Sequence, residues 1–303
     1  MITRCWTVLA SLFGIIALVS CSPLTETPPP DFLSVDSLVP GTFFTEPSFS
    51  SNGHFIAVGA HESSQQADQV GTIESFYILD LQSQGVHFTY SGDVFKEGAL
   101  SPDGMRMAVT TSVPYDDPSP SYDLFLIDIG TSNTSQHTRG FVPAWSQDSR
   151  YLAFFHLPDR FSANWELQLR IRDTVTRQEE TVFSIDIGEG YAISSLTWSS
   201  NSKMLAFTME TAKPRPDSVG PHLYVLNVEN RSLQQLTTNH RVYSVSFSPD
   251  GDKLLYLADP TPEHLGEIAL FVTDLEGHCH RVLDQPLSNR TREVVLSPSG
   301  ERI

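Results

Sequence analysis

Two histidines flank a cysteine in the stretch Gly277-His278-Cys279-His280-Arg281-Val282. Of all the side chains in the sequence, these come nearest to metal chemistry. Alternate residues of a strand share a face, so His278 and His280 would stand together, with Cys279 on the other side. A catalytic zinc needs three protein ligands. The pair supplies two, and no third is adjacent, although the fold could bring His264 near. No metal or other cofactor is therefore assigned, and the expectation for this stretch is a solvated polar hairpin.

Two further groups suit recognition. Tyr115, Asp116, Asp117 and Tyr122 form an acidic and aromatic patch, and Arg160, Phe161 and Trp165 a cationic and aromatic one. Aromatic side chains and arginine are typical anchors of interfaces. The motifs of covalent, zinc, nucleotide and calcium chemistry (G-x-S-x-G, H-E-x-x-H, a Gly-rich phosphate loop, D-x-[DN]-x-[DN]-G) do not occur in the sequence. The formal net charge is −17, with no basic cluster, which argues against nucleic acid and anionic lipid head groups as partners.

These residues sit on a repeat. An apolar residue, a serine, a turn and a short apolar strand recur in "PSFSSNGHFIAV", "GALSPDGMRMAV", "PAWSQDSRYLAF", "LTWSSNSKMLAF", "VSFSPDGDKLLY" and "VVLSPSGERI". The serines are Ser50, Ser101, Ser146, Ser199, Ser248 and Ser297, at intervals of 51, 45, 53, 49 and 49 residues. Pro fixes the turn's second position, Asp or Asn bonds back to its own backbone, and Gly supplies a positive φ. Ser149 and Ser202 replace that Gly, which marks two more degenerate units. Later in each unit come strand-like segments such as Asp123–Ile129 and His222–Val228, followed by a more polar strand. Four strands per repeat of this period make a propeller blade. The fold expected is an all-β propeller of five complete four-stranded repeats and the start of a sixth, six-bladed when complete. Trp145 and Trp198 stand where other repeats carry Phe or Leu, so they are expected to pack blades. The turn serines are expected to be structural, not nucleophilic.

The pattern "SPDG…LAF…LYVLNV…LQQLT" resembles the TolB-like propeller repeats, a bacterial variant of the WD-repeat pattern, over about Phe43 to Ile303. The resemblance implies that each blade's first strand lines a central channel and that the Ser-Pro-Asp-Gly turns gather at one end. The connections between second and third strands then gather at the other end. Those connections are long here and carry Tyr115, Asp116, Asp117, Tyr122, Arg160, Phe161 and Trp165. Long loops on one rim of a rigid scaffold are a binding surface. The expected function is a non-enzymatic binding or scaffold module whose partner is a protein, a peptide or an envelope glycan. TolB itself carries an α/β domain ahead of its propeller; here only Asp31 to Thr45 precede the first repeat.

The N-terminus sets the compartment. Arg4, the apolar run Val8–Val19 and small residues at its end make a secretory signal. The tetrapeptide Leu18-Val19-Ser20-Cys21 resembles the bacterial lipobox, which implies cleavage before Cys21 and lipidation of that cysteine. The expected organisation is a signal over 1–20, an acylated Cys and Pro-rich tether over 21–30, and a propeller over 31–303 truncated at its C-terminus. The expected location is the bacterial cell envelope, lipid-anchored, on the periplasmic face of the outer membrane in a diderm and on the extracellular face otherwise. Cys279 is then the only thiol of the mature chain, so packing and not a disulfide must hold the body. The alternative reading is the front propeller of a prolyl-oligopeptidase-type serine peptidase whose hydrolase domain is missing from this sequence.

Overall fold

The computed structural model describes residues 42–62, 73–112, 122–157, 166–186, 191–211, 220–259 and 267–283, together with Leu287 and Val294. Its described residues are all strands, turns and connections, with no helix. Blade 1 holds β1 (Thr42–Phe49), β2 (Phe55–Glu62), β3 (Ile73–Asp80) and the first half of β4 (Gly85–Leu100). The second half of β4 opens blade 2, which continues with β5 (Arg106–Ser112), β6 (Tyr122–Asp128) and β7 (Thr134–Arg139). The partners of β4 change along its length, from β3 over Gly85–Ser91 to β5 over Glu97–Leu100. Blade 3 is β8 (Phe141–Trp145), β9 (Tyr151–His156), β10 (Glu166–Asp173) and β11 (Glu179–Asp186).

Blade 4 is β13 (Leu196–Trp198), β14 (Met204–Thr211), β15 (His222–Asn227) and β16 (Leu233–Gln235), with the two-residue β12 (Tyr191–Ala192) extending its inner edge on β14. Blade 5 is β17 (Val242–Phe247), β18 (Lys253–Ala258), β19 (Ala269–Asp274) and β20 (Cys279–Arg281). Every pairing is antiparallel and, apart from that of β12 with β14, sequential, so the chain meanders outward through each blade and returns to the centre to begin the next.

One hydrogen-bond pattern closes all five turns. The hydroxyls of Ser50, Ser101, Ser146, Ser199 and Ser248 donate to the side-chain oxygen of Asn52, Asp103, Asp148, Asn201 and Asp250, at 2.5 to 2.8 Å. Each hydroxyl also accepts the backbone N–H five residues on, at 2.8 to 3.0 Å. Ser50, Ser101, Ser146 and Ser199 are fully buried, and Ser248 is half-buried. A serine engaged as donor and acceptor inside its own turn is structural, as the sequence implied.

The left-handed position falls on Gly53, Gly104, Ser149, Ser202 and Gly251, with φ between 56° and 78°. Ser149 and Ser202 are not decayed versions of glycine. The Ser149 hydroxyl accepts the N–H of Asp103 at 2.9 Å, and that of Ser202 accepts the N–H of Gln147 at 3.3 Å. Each reaches into the turn of the preceding blade, and that bond offsets the steric cost of a positive φ. At Gly251 the space is tighter, because a Cβ there would lie 3.0 Å from the Ser200 hydroxyl, which would have to shift.

The core is distributed between blades. Leu167, Leu169, Leu205 and Phe207 fill the junction of blades 3 and 4, and Leu223, Val245, Leu254 and Tyr256 that of blades 4 and 5. Trp145 and Trp198 are buried blade-packing residues, as expected. Their indole N–H groups donate to the carbonyls of Ala99 and Ala144, each on the preceding inner strand, at 3.0 and 3.1 Å.

Candidate functional site: the central channel

The inner strands enclose a cavity of about 320 Å³, at the lower end of the range for small-ligand sites. Its walls come from β1, the second half of β4, β8, β13 with the residues before it, and β17, with Val294 beside them. Phe49, Trp145, Trp198 and Phe247 supply aromatic surface. One end is ringed by the turns, through Ser51, Pro102, Gln147, Ser200 and Pro249. Glu97 lies toward the other end, because it opens the inner half of β4, which runs on toward the turn at Ser101. Its strand partner Thr110 leads into the long connection between β5 and β6.

Four hydroxyls of the lumen are engaged with neighbouring strands. Ser48 accepts the N–H of Leu100, Ser195 that of Val245 and Ser244 that of Val294, at 2.8, 3.1 and 3.1 Å. Ser194 donates to the carbonyl of Tyr243 at 2.7 Å. Side chains of one inner strand therefore satisfy the backbone of the next, which leaves little of that edge for an added strand. Between blades 2 and 3 a carboxylate takes this part: Glu97 Oε2 accepts the N–H of Val142 at 2.5 Å.

That junction is unusual in two further ways. Val142 has φ +51°, and the β8–β9 register slips between Phe141 and Ala144. A β-branched residue in the left-handed region is a genuine outlier, and such strain costs about 1–3 kcal/mol and gathers at functional sites. Thr110, directly opposite Glu97, is fully buried, and its hydroxyl has no hydrogen-bond partner among the described residues. The equivalent hydroxyl of blade 4, on Thr208, is held by Ser194 at 2.9 Å.

Cys21, Tyr115, Asp116, Asp117, Arg160, Phe161, Trp165 and His264 lie outside the described residues. Tyr122 is half-buried at the start of β6, its ring 5.4 Å from that of Phe141. Burial, and then the charge of Glu97, push its phenol above the usual range. The expected alternation of His278 and His280 on a strand is corrected. The strand begins at Cys279, and His278 belongs to the turn before it. Gly277 stands there at φ +92°, and Asp274 closes the turn by accepting the N–H groups of Glu276 and His278. His278 Nδ1 lies 2.9 Å from Asp274 Oδ2, and that hydrogen bond holds its pKa above the ordinary value. Asp274, Glu276 and His278 are close enough to surround an ion, but the carboxylate at their centre is already engaged in building the turn. His280 faces solvent opposite Val272.

Sequence reasoning missed Glu97 and Val142. A signal for Glu97 exists. Glu97, Ser195 and Ser244 all stand four residues before a turn serine, and each accepts from the next inner strand. In the sequence Glu46 and Glu293 share that phase.

His240 lies between β16 and β17, half-buried, its ring 4.6 Å from Phe271 and its Nδ1 3.1 Å from the Tyr256 hydroxyl. Burial lowers its pKa. The unfolded chain, with the ordinary value of about 6.5, then takes up this proton first as pH falls. The stability that neutral His240 contributes is complete above about pH 6.5 and is lost as pH falls toward the lowered value. Urea midpoints at pH 7.5 and 5.5 should therefore lie closer together in His240→Gln than in the parent. His278, with its raised pKa, acts in the opposite sense and is common to both proteins.

No protein-family model matches the chain, and neither does any curated protein sequence. Solved structures do. The chain is similar to the putative TolB of Agrobacterium tumefaciens, at 14% identity and a TM-score of 0.63, over 86% of this chain and 88% of that one. The fold is that of a TolB-like β-propeller. TolB of Acinetobacter baumannii is similar at 18% identity and a TM-score of 0.56, over 81% of this chain and 55% of that one. An acylaminoacyl peptidase of Pyrococcus horikoshii is similar at 13% identity and a TM-score of 0.52, over 80% of this chain and 39% of that one. At such identities the likeness is one of fold, and propellers host many unrelated functions.

Proposed function

We propose that this protein is a lipid-anchored, non-enzymatic binding propeller of the bacterial cell envelope, held through Cys21 and engaging a partner at the rim of long connections. The asymmetry of the two rims carries this reading. On one rim, each of the five described turns is closed by its own serine, and those of blades 1 to 4 are also bonded to an adjoining blade. On the other, the second and third strands of each blade are joined by long segments, and those of blades 2 and 3 carry Tyr115, Asp116, Asp117, Arg160, Phe161 and Trp165. The likeness to TolB structures is consistent with an envelope location. A sixth blade completes the proposed ring. Val294, buried against Leu255, Leu257 and Leu270, bonds to Ser244 as Val245 bonds to Ser195.

Cell fractionation tests the anchor. Cys21→Ala should move the protein from the membrane to the soluble fraction, and a variant that stays with the membrane defeats the lipidation reading. Crosslinking of the intact lipoprotein in its envelope tests the rim, with captured partners expected on the long connections. Crosslinks confined to the turn rim would count against it. The likeness to a peptidase propeller keeps the alternative reading in view. A G-x-S-x-G motif encoded beyond Ile303 would favour it.

A further inference from the structure

The chain enters the propeller at one particular end of the ring. Thr42, the first residue of β1, pairs with Glu62, the last residue of β2, while Phe49 pairs with Ile56 beside the turn of Ser50. The connection from β2 to β3 leaves from Glu62. Thr42 therefore stands at the long-connection end, on an innermost strand. We propose that the lipid anchor turns this end toward the membrane, and that the partner engaged there is a protein held in the same membrane. The inference rests on the lipidation and binding readings above and adds the partner's class.

Chain length decides between the two orientations. Residues 22–41 separate Cys21 from β1, and at full extension they span at most about 70 Å. With the long-connection end toward the lipid, the segment leaves Thr42 already pointing the right way, and any part of that length suffices. With the turn end toward the lipid, it must first cross blade 1 and then run down its side. Three strand spacings are about 15 Å, and a strand as long as β1 is about 26 Å. More than half of the maximum span is then taken up before the lipid is reached. Stretching a chain so far costs conformational entropy, and the first orientation avoids that cost.

The formal net charge of −17 opposes close contact with anionic head groups, so the occupant of this end is protein and not lipid. A partner in the same membrane shares a surface with the anchored chain, and tethering raises effective concentration without any new contact. A modest contact is then enough. A soluble partner has no such help, and it must enter a gap that the segment before β1 limits to about 70 Å.

Two labels on blade 5 read the orientation. Glu267 is exposed just before β19, whose first residue Ala269 pairs with Ala258 at the long-connection end. Cys279 is exposed opposite Thr273, near the other end of β19. Residues 267 to 273 cover about 20 Å of strand. The lipidated chain is placed in vesicles of phosphatidylethanolamine and phosphatidylglycerol that contain a fluorescent acceptor lipid. A donor dye is attached at Cys279 in the parent, or at position 267 in the double variant Glu267→Cys, Cys279→Ser. Energy transfer should be at least about twofold greater from position 267, and equal or greater transfer from Cys279 overturns the proposal. A photoreactive crosslinker at position 267 in the intact envelope reads the partner. The captured protein should resist extraction with alkaline carbonate. Cys21→Ala keeps the binding surface and loses the anchor, so it should capture that protein at least about tenfold less. Release of the captured protein by carbonate, or equal capture by a soluble Cys21→Ala chain, overturns the proposal. Failures of the separate readings are distinguishable. A Cys21→Ala chain that stays with the membrane defeats the lipidation reading, and reversed energy transfer beside a soluble Cys21→Ala chain defeats the orientation alone. No capture from either position removes the binding reading and this proposal with it.

Discussion

Phe207→Ala should lower stability by about 3–5 kcal/mol, the cost of emptying a large core site that cannot collapse. Phe207 is fully buried on β14. Its ring lies edge-on to Phe155 of blade 3 at 5.5 Å, 6.0 Å from Phe183 of the same blade, and stacked on Tyr224 of its own blade at 5.8 Å. Removing it withdraws surface from two blades at once, and antiparallel backbone ladders on both sides hold the cavity open. Domains have only about 5–15 kcal/mol in hand. At about 2–4 °C per kcal/mol for a domain of this size, the melting temperature should fall by roughly 10 °C. Val175→Ala is the control. Val175 is 74% exposed, and a change there should stay within about 0.5 kcal/mol. A Phe207→Ala protein melting within 2 °C of the parent would mean that the blades do not interlock as described.

The fold was legible because its signal is repeated and local. A serine, an Asx two residues on and a left-handed residue after it form one hydrogen-bonded unit, and five described copies put the same atoms in the same places. What Ser149 and Ser202 do was not legible. Read alone, each is a turn that lost its glycine. The hydroxyl's partner lies one blade away, on Asp103 or Gln147, and no local pattern points across that distance. The boundary of β20 failed for a related reason. Alternation along 278–280 presumed a strand that already existed, whereas the carboxylate of Asp274 captures His278 into the turn.

The channel was legible only in outline. Position in the repeat identified which strands face the centre, and those strands read as apolar and hydroxyl-bearing, which they are. Glu97 escaped notice because a single glutamate carries no motif. Its meaning comes from the lumen, where the other described side chains carry no charge, and from the Val142 N–H in the next blade. Positive φ at a valine followed by proline is equally invisible to propensity, since tertiary bonds impose it against local preference. The recognition residues on the long connections rest on composition and position in the repeat.

Trp145→Ala tests whether the inner ring behaves as one body. Trp145 is 7% exposed and joins blades 2 and 3 in several ways. It packs with Ala108, Leu124 and Leu126, and its indole donates to Ala99. Its ring carries the Arg106 guanidinium 4.8 Å from the centroid. That guanidinium in turn donates to the Ser149 carbonyl and the Thr174 hydroxyl, at 2.5 and 2.9 Å. Truncation to alanine should cost about 3–5 kcal/mol. Phe should cost about 1 kcal/mol for the lost hydrogen bond, plus a smaller amount for lost area. In an open array of repeats each unit interacts with its neighbours alone, so a weakened junction would split urea unfolding into two steps. In a closed ring, a broken junction leaves every blade still held from its other side. The transition should then stay single and keep its slope while its midpoint falls. A biphasic transition in Trp145→Ala, with a single one in the parent, would show that blades 1 and 2 unfold apart from blades 3 to 5.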